Sequence, residues 1–182
     1  MRLIKLSQIQ FNRYYKLIIL TVFTPNPGDI YKVELKENKV KYFQFFSKDK
    51  LRYNSDIIIV YKNIYDLKED VDFSELTNKN NINFISHTSI TTGLRLKEWT
   101  KATNYKLPDK LTPKFRTAKN YKEDLKSSNE WYTWSPQDLK YEYVSNSRNK
   151  LNNSYVGIVF SPYQIVKLMR THKNNFDYPQ II

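Results

Sequence analysis

Residues 39–46 read KVKYFQFF, and this octapeptide limits the folds open to the chain more than any other stretch. In an extended chain Val40, Tyr42 and Phe46 point one way and Phe43 and Phe45 the other. A strand bulky on both faces needs cover on both faces, so it belongs inside a sheet with a layer on each side. Residues 32–35 predict a partner strand across the polar Lys36, Glu37 and Asn38 connection, and Asn38 suits the left-handed position of a tight turn. The following SDIIIVYKNIY carries the β-branched residues 57–60 and then Tyr61, a run over 57–61 that predicts a third buried strand.

INFISHTSI alternates Ile82, Phe84 and Ser86 against Asn83, Ile85 and His87 and reads as a fourth strand. The acidic segment 66–80 before it reads as a loop with one helical turn. TTGLRLKEWTKATNY fits two readings: a helix capped by Thr91 or Thr92 with Leu96, Trp99 and Thr103 on one face, or a strand from its start. Residues 104–130, polar and punctuated by Pro108 and Pro113, predict a long basic loop, and loops of that length often carry function. EWYTW predicts a short strand with Trp131 and Trp134 on opposite faces, and SYVGIVFS predicts the last strand. A helix over 161–174 closes the pattern. Ser161 caps it, Pro162 takes its first position and Gln164 completes the capping box. Ile165, Leu168, Met169 and His172 form its inward face, with Lys167, Arg170 and Lys173 on the other side.

Residues 1–24 read as an N-terminal strand or packed arm. The apolar run 17–23 is too short to span a bilayer, and no small-x-small site follows it to favour the alternative, a secretory signal. The expected architecture is one α+β domain over 1–182: a curved, mostly antiparallel sheet or partial small barrel with the C-terminal helix packed on it.

The chain has no cysteine, which excludes disulfides, thiolate catalysis and cysteine metal sites. His87 and His172 are its only histidines, and neither a His-x-x-x-His nor a Glu-x-x-His spacing occurs, which argues against zinc. His172 reads as a packed or capping side chain. His87 stands beside Ser86 and Ser89, but triads are built from neighbours in space, not in sequence. Gly28, Gly93 and Gly157 stand alone, so phosphate-cradling glycine loops are excluded. The sequence therefore offers no catalytic residue, no cofactor site and no metal site.

A formal net charge of +12 favours acidic partners. The charge is unevenly spread: residues 87–126 hold ten Lys and Arg against four acids, while 66–86 hold five acids against two lysines. The basic candidates for partner contact are Lys110, Lys114, Arg116, Lys119 and Lys122 of the loop and Lys167, Arg170 and Lys173 of the helix. The acidic alternative is Asp66, Glu69, Asp70, Asp72 and Glu75. Aromatic residues adjoin cations at Arg13 with Tyr14 and Tyr15, at Arg52 with Tyr53 and at Lys140 with Tyr141, the pairs that single-stranded RNA stacks upon.

PGDIYKVEL resembles the opening of MazF/PemK-type toxin endoribonucleases, and no catalytic residue carries over with it. The broader likeness is to bacterial immunity proteins. PGDIYKVEL, KYFQFF followed by NSDIIIVYKNIY, and the closing GIVFSPYQIVKLMRTH together resemble the immunity-protein-26 family of polymorphic toxin systems. That resemblance implies a non-enzymatic protein that binds and neutralises a cognate toxin used in competition between bacteria, acting by occluding its surface; the expected location is the cytoplasm. Residues 100–150 fall outside the likeness and are the contact candidates it suggests. Inhibitors of basic nucleases are usually acidic, so a +12 chain implies an acidic or membrane-active toxin, or an interface on the acidic island. The alternative is a basic nucleic-acid-binding module or a small-barrel endoribonuclease toxin.

Overall fold

The hairpin expected from KVKYFQFF seeds the larger sheet. A computed structural model describes residues 23–122, 124–137, 139–145, 148–171 and 178–182. The N-terminal strand or arm expected over 1–24 lies outside these residues apart from Phe23 and Thr24, as do His172 and Lys173. β1 (Asp29–Glu34) and β2 (Lys39–Asp49) pair antiparallel, with Glu34 opposite Val40. Glu37 and Asn38 at the connection are both left-handed, with φ of 58° and 55°. The turn is closed by Lys39 N–H donating to Lys36 O at 3.2 Å and Leu35 N–H to Lys39 O at 2.8 Å. The register leaves a three-residue connection, Lys36 to Asn38, that reverses the chain through two successive left-handed residues. Asparagine tolerates that conformation better than glutamate, by about 1 kcal/mol. Glu37→Asn is therefore expected to raise Tm by roughly 1–4 °C in a thermal melt, and an unchanged or lower Tm would contradict this reading of the turn.

The larger sheet runs β5 (Ile82–Thr88), β3 (Ser55–Tyr61), β2, β1, β6 (Thr100–Asn104), with β4 (Tyr65–Asp66) on the end of β2. All its pairs are antiparallel. β2 is central and buried on both faces, as its side chains require. One face packs Tyr31, Phe43, Phe45, Ile58 and Val60 against Trp99 and the buried residues of the C-terminal helix. The other packs Val40, Tyr42, Phe46, Ile57, Ile59 and Tyr61 against Phe115 and Trp134.

The Gly-Asp pair that opens β1 is framework. Gly28 has φ 92°, and a Cβ there would lie 2.5 Å from Tyr105 O. Asp29, 1% exposed, accepts Lys101 Nζ at 2.7 Å and Asn104 Nδ2 at 2.8 Å, tying β1 to β6. Burial alone would raise its carboxyl. Hydrogen bonds from Lys101, Asn104 and the Asn26 N–H outweigh burial and hold it below the ordinary carboxylate range.

The acidic segment contains α1 (Phe73–Leu76), capped by Asp72, and a single 3₁₀ turn, Lys79–Asn81. α2 (Ile90–Arg95) is capped by Ser89, not by Thr91 or Thr92, and Thr92 N–H donates to Ser89 Oγ at 3.3 Å. The helix ends before Leu96 and Trp99, so these two do not share a helical face with Thr103, which lies in β6. Lys97 takes a left-handed φ of 59° and reverses the chain. Trp99 then folds back over Gly93 and donates from Nε1 to Ile90 O at 3.1 Å, while Leu96 is left 61% exposed.

The segment expected as a long loop is interrupted by a second sheet. β7 (Phe115–Ala118) pairs antiparallel with β9 (Glu130–Ser135), and β9 with β10 (Lys140–Ser145). β8 (Ser127–Ser128) pairs with β12 (Gln180–Ile181). Trp131 and Trp134 do lie on opposite faces of β9: Trp134 joins the core under the larger sheet, and Trp131 joins a third cluster with Ala118, Val144 and Leu151 of α3 (Arg148–Asn152). SYVGIVFS is mostly not strand. β11 (Tyr155–Val156) is two residues long, parallel to β7, and Val159 makes one isolated bridge to His87. Gly157 breaks the strand because its backbone passes directly beneath Trp134.

α4 (Pro162–Thr171) matches its sequence signature. Ser161 N–H donates to Gln164 Oε1 at 2.8 Å and Gln164 N–H to Ser161 Oγ at 3.3 Å. Ile165, Val166, Leu168 and Met169 are buried against the larger sheet, each worth roughly 1.5–3 kcal/mol of burial. The fold is α+β, with two open antiparallel-based sheets, the separate parallel pair of β8 with β12, and no closed barrel among the described residues.

Candidate functional site

Asp49, at the end of β2, joins the two sheets. Its side chain is wholly buried. Oδ2 accepts His87 Nε2–H at 3.0 Å and Trp134 Nε1–H at 2.9 Å, while Oδ1 accepts the Leu51 and Arg52 N–H groups at 3.0 and 3.1 Å. Burial would raise this carboxyl, but the hydrogen bonds from His87, Trp134 and Arg52 prevail and lower it. His87, also wholly buried, is ringed by Tyr53, Phe115 and Trp134. Enclosed this way, its imidazole packs within the junction of the two sheets, bonded to Asp49.

That junction fixes the turn 50–54 against the second sheet. The turn presents Arg52, whose guanidinium lies 5.1, 5.0 and 5.4 Å from the ring centroids of Tyr53, Trp134 and Tyr141 and donates to the Tyr141 hydroxyl. Tyr53 is anchored by donating to Gly157 O at 2.7 Å. Strand alternation does the rest. Trp134 and Tyr132 share a face of β9, and the register sets Tyr141 and Tyr143 of β10 directly beside them. Tyr132 stacks on Tyr141 at 5.1 Å and 16°, and meets Tyr143 edge-on at 5.7 Å. Tyr141 and Tyr143 remain 47% and 45% exposed.

The result is an aromatic ladder that starts in the core at Trp134 and runs outward onto β10, the edge strand of its sheet. Lys119 stands 5.2 Å from the Tyr143 ring and pairs with Glu130 at 2.8 Å. Glu130 also accepts the Tyr143 hydroxyl, and these two bonds, Lys119 first, hold its carboxyl down. The rings are thus stacked and bonded before anything binds. Large rigid aromatics with an arginine among them are the side chains that concentrate binding energy at protein interfaces.

The basic residues singled out from the sequence do not form one patch. Lys110, Lys114 and Lys122 are exposed on connections around the second sheet. Arg116 turns inward: its Nη1 donates to Leu151 O at 3.1 Å and to Ser154 O, and its guanidinium sits over Trp131. Lys119 belongs to the aromatic face. Lys167 and Arg170 lie on α4, along a shallow groove with Lys36 and Tyr163, on the opposite side of the larger sheet. In the acidic island Asp66 pairs with Lys39 at 2.7 Å, Glu69 accepts the Asp66 N–H at 2.9 Å, and Asp72 caps α1, whereas Asp70 and Glu75 are exposed.

Sequence reasoning had the Arg52–Tyr53 and Lys140–Tyr141 neighbours but missed Tyr132, Tyr143 and Asp49. The spacing of Tyr141 and Tyr143 two apart in KYEYVS was the available signal for one strand face. No helix of the described residues is long and apolar enough to cross a membrane. Comparison with protein-family models, with curated proteins and with solved structures finds no match for the chain.

Proposed function

We propose that the protein is a non-enzymatic, immunity-like binding protein that neutralises a bacterial toxin by covering part of its surface, acting in the cytoplasm. The observation that carries this reading is the pre-stacked Tyr132, Tyr141 and Tyr143 ladder with Arg52 on an open sheet edge. It offers a partner broad, rigid contact area at little entropic cost. The likeness of PGDIYKVEL, KYFQFF and the closing helix to immunity proteins points the same way. So does the enclosure of His87, which leaves it a framework role. The net charge of +12 favours a toxin with an acidic or membrane-active character.

A second reading has a specific observation behind it: tyrosines interleaved with Arg52 and Lys119 also suit stacking of single-stranded RNA. Salt separates the two. Binding driven by aromatic burial weakens only modestly as salt rises, whereas phosphate-driven binding of a single strand falls steeply, by about 0.7 decade per decade of salt for each contact.

The direct test is co-expression with the product of the neighbouring open reading frame. Restored growth and a stable complex on size exclusion are expected. Unchanged toxicity with no complex would overturn the proposal, and tight salt-sensitive retention on single-stranded RNA would replace it with the second reading.

A further inference from the structure

On the other side of the second sheet lies a cleft of about 460 Å³ between β5, β7 and the chain around β11 and β12. Phe84, Val156, Phe160 and Ile181 give it apolar walls. Two polar groups on that lining lack the partners that burial demands. Ser86 is 2% exposed and its Oγ has no hydrogen-bond partner. Arg116 Nε is buried and has none either. One arm of the Arg116 fork is placed by the protein: Nη1 donates to Leu151 O, Ser154 O and Ser154 Oγ, while Tyr178 donates to the Arg116 backbone carbonyl at 2.8 Å.

Burial holds the Arg116 guanidinium below its ordinary value, and no carboxylate of the described residues is ion-paired with it. A half-buried guanidinium without a counter-ion carries an uncompensated desolvation cost. An anion in the cleft would relieve it, and the Nε edge of arginine matches a carboxylate. Ser86 Oγ supplies a further donor and the walls suit an apolar body.

We propose that this cleft binds a small carboxylate with an apolar chain or ring, its carboxylate on Arg116 Nε and Ser86 Oγ and its body against Phe84 and Phe160.

The test is calorimetric titration of the full chain with octanoate and phenylacetate, with octanamide and phenylacetamide as neutral counterparts. Saturable binding of the acids is expected, with the amides weaker by roughly tenfold or more. In a proton–nitrogen correlation spectrum of the unaltered protein, the Arg116 Nε–H signal is expected to move on adding octanoate. Arg116→Gln is expected to abolish the preference for acid over amide. Because that variant also loses bonds to residues 151 and 154, the spectrum of the unaltered protein stands as the second readout. No saturable binding, equal affinity for acid and amide, or octanoate binding that leaves the Arg116 Nε–H signal in place would each overturn the proposal.

Discussion

Asp49→Asn is expected to destabilise the protein by about 3–5 kcal/mol, the largest loss of any conservative substitution in the junction. Both carboxylate oxygens accept only: His87 and Trp134 side chains on one, the Leu51 and Arg52 N–H groups on the other. An amide NH₂ in either position confronts two donors and leaves them unpaired in a buried site. The effect has a pH signature. The Asp49 carboxyl is lowered in the folded state, so its contribution is complete above the ordinary carboxylate value of about 3.8 and is lost as pH falls through the lower folded value. Asp29 acts in the same sense. Chemical denaturation between pH 6 and pH 2 should show an acid limb (~2–4 in pH) that Asp49→Asn flattens. A variant within about 1 kcal/mol of the parent, with an unaltered acid limb, would show that the junction does not hold the sheets together.

Gly157→Ala is expected to cost about 3 kcal/mol, well beyond the usual effect of one methyl group. A Cβ at Gly157 would lie 2.0 Å from Trp134 Cη2 and 2.8 Å from Arg116 O. The backbone carbonyl is fixed by Tyr178 and by the parallel pairing of β11 with β7, so the indole must move. Trp134 cannot move without leaving Asp49, and Tyr53, Arg52 and Tyr141 lean on it. A lower Tm should therefore accompany a changed near-ultraviolet aromatic signal. A Tm within a degree of the parent would mean that the pocket under Trp134 is roomier than described.

The elements legible in the sequence are those specified locally. β2 announces itself because both faces are bulky, and α4 because its cap, first proline and apolar period fall within a few residues of one another. β7 and β10 escaped notice because FRTA and KYEYVS are short and half polar, and only pairing with β9 makes them strands. α2 differs from expectation because Trp99 is recruited to the core through Gly93, which stops the helix early. The candidate site was legible only in halves. Arg52 beside Tyr53 and Lys140 beside Tyr141 are visible as neighbours, but Arg52 and Tyr141 are 89 residues apart and the Asp49 bond that positions them spans 85. No local pattern encodes a contact of that separation. Arg116 illustrates the converse: a cation in a basic stretch reads as surface until the fold turns it under Trp131.

If the tyrosine ladder is the contact surface for a protein partner, as proposed, the most direct measurement is the affinity of the product of the neighbouring open reading frame for the parent and for the Tyr141→Ala, Tyr143→Ala double variant, taken alongside their melting curves. Both tyrosines are nearly half exposed, so Tm should fall little. Affinity is predicted to fall by roughly 100-fold or more, as for two interface hot spots, with only modest dependence on salt. An affinity within about twofold of the parent in a variant that melts normally would contradict the claim and move the contact elsewhere on the protein.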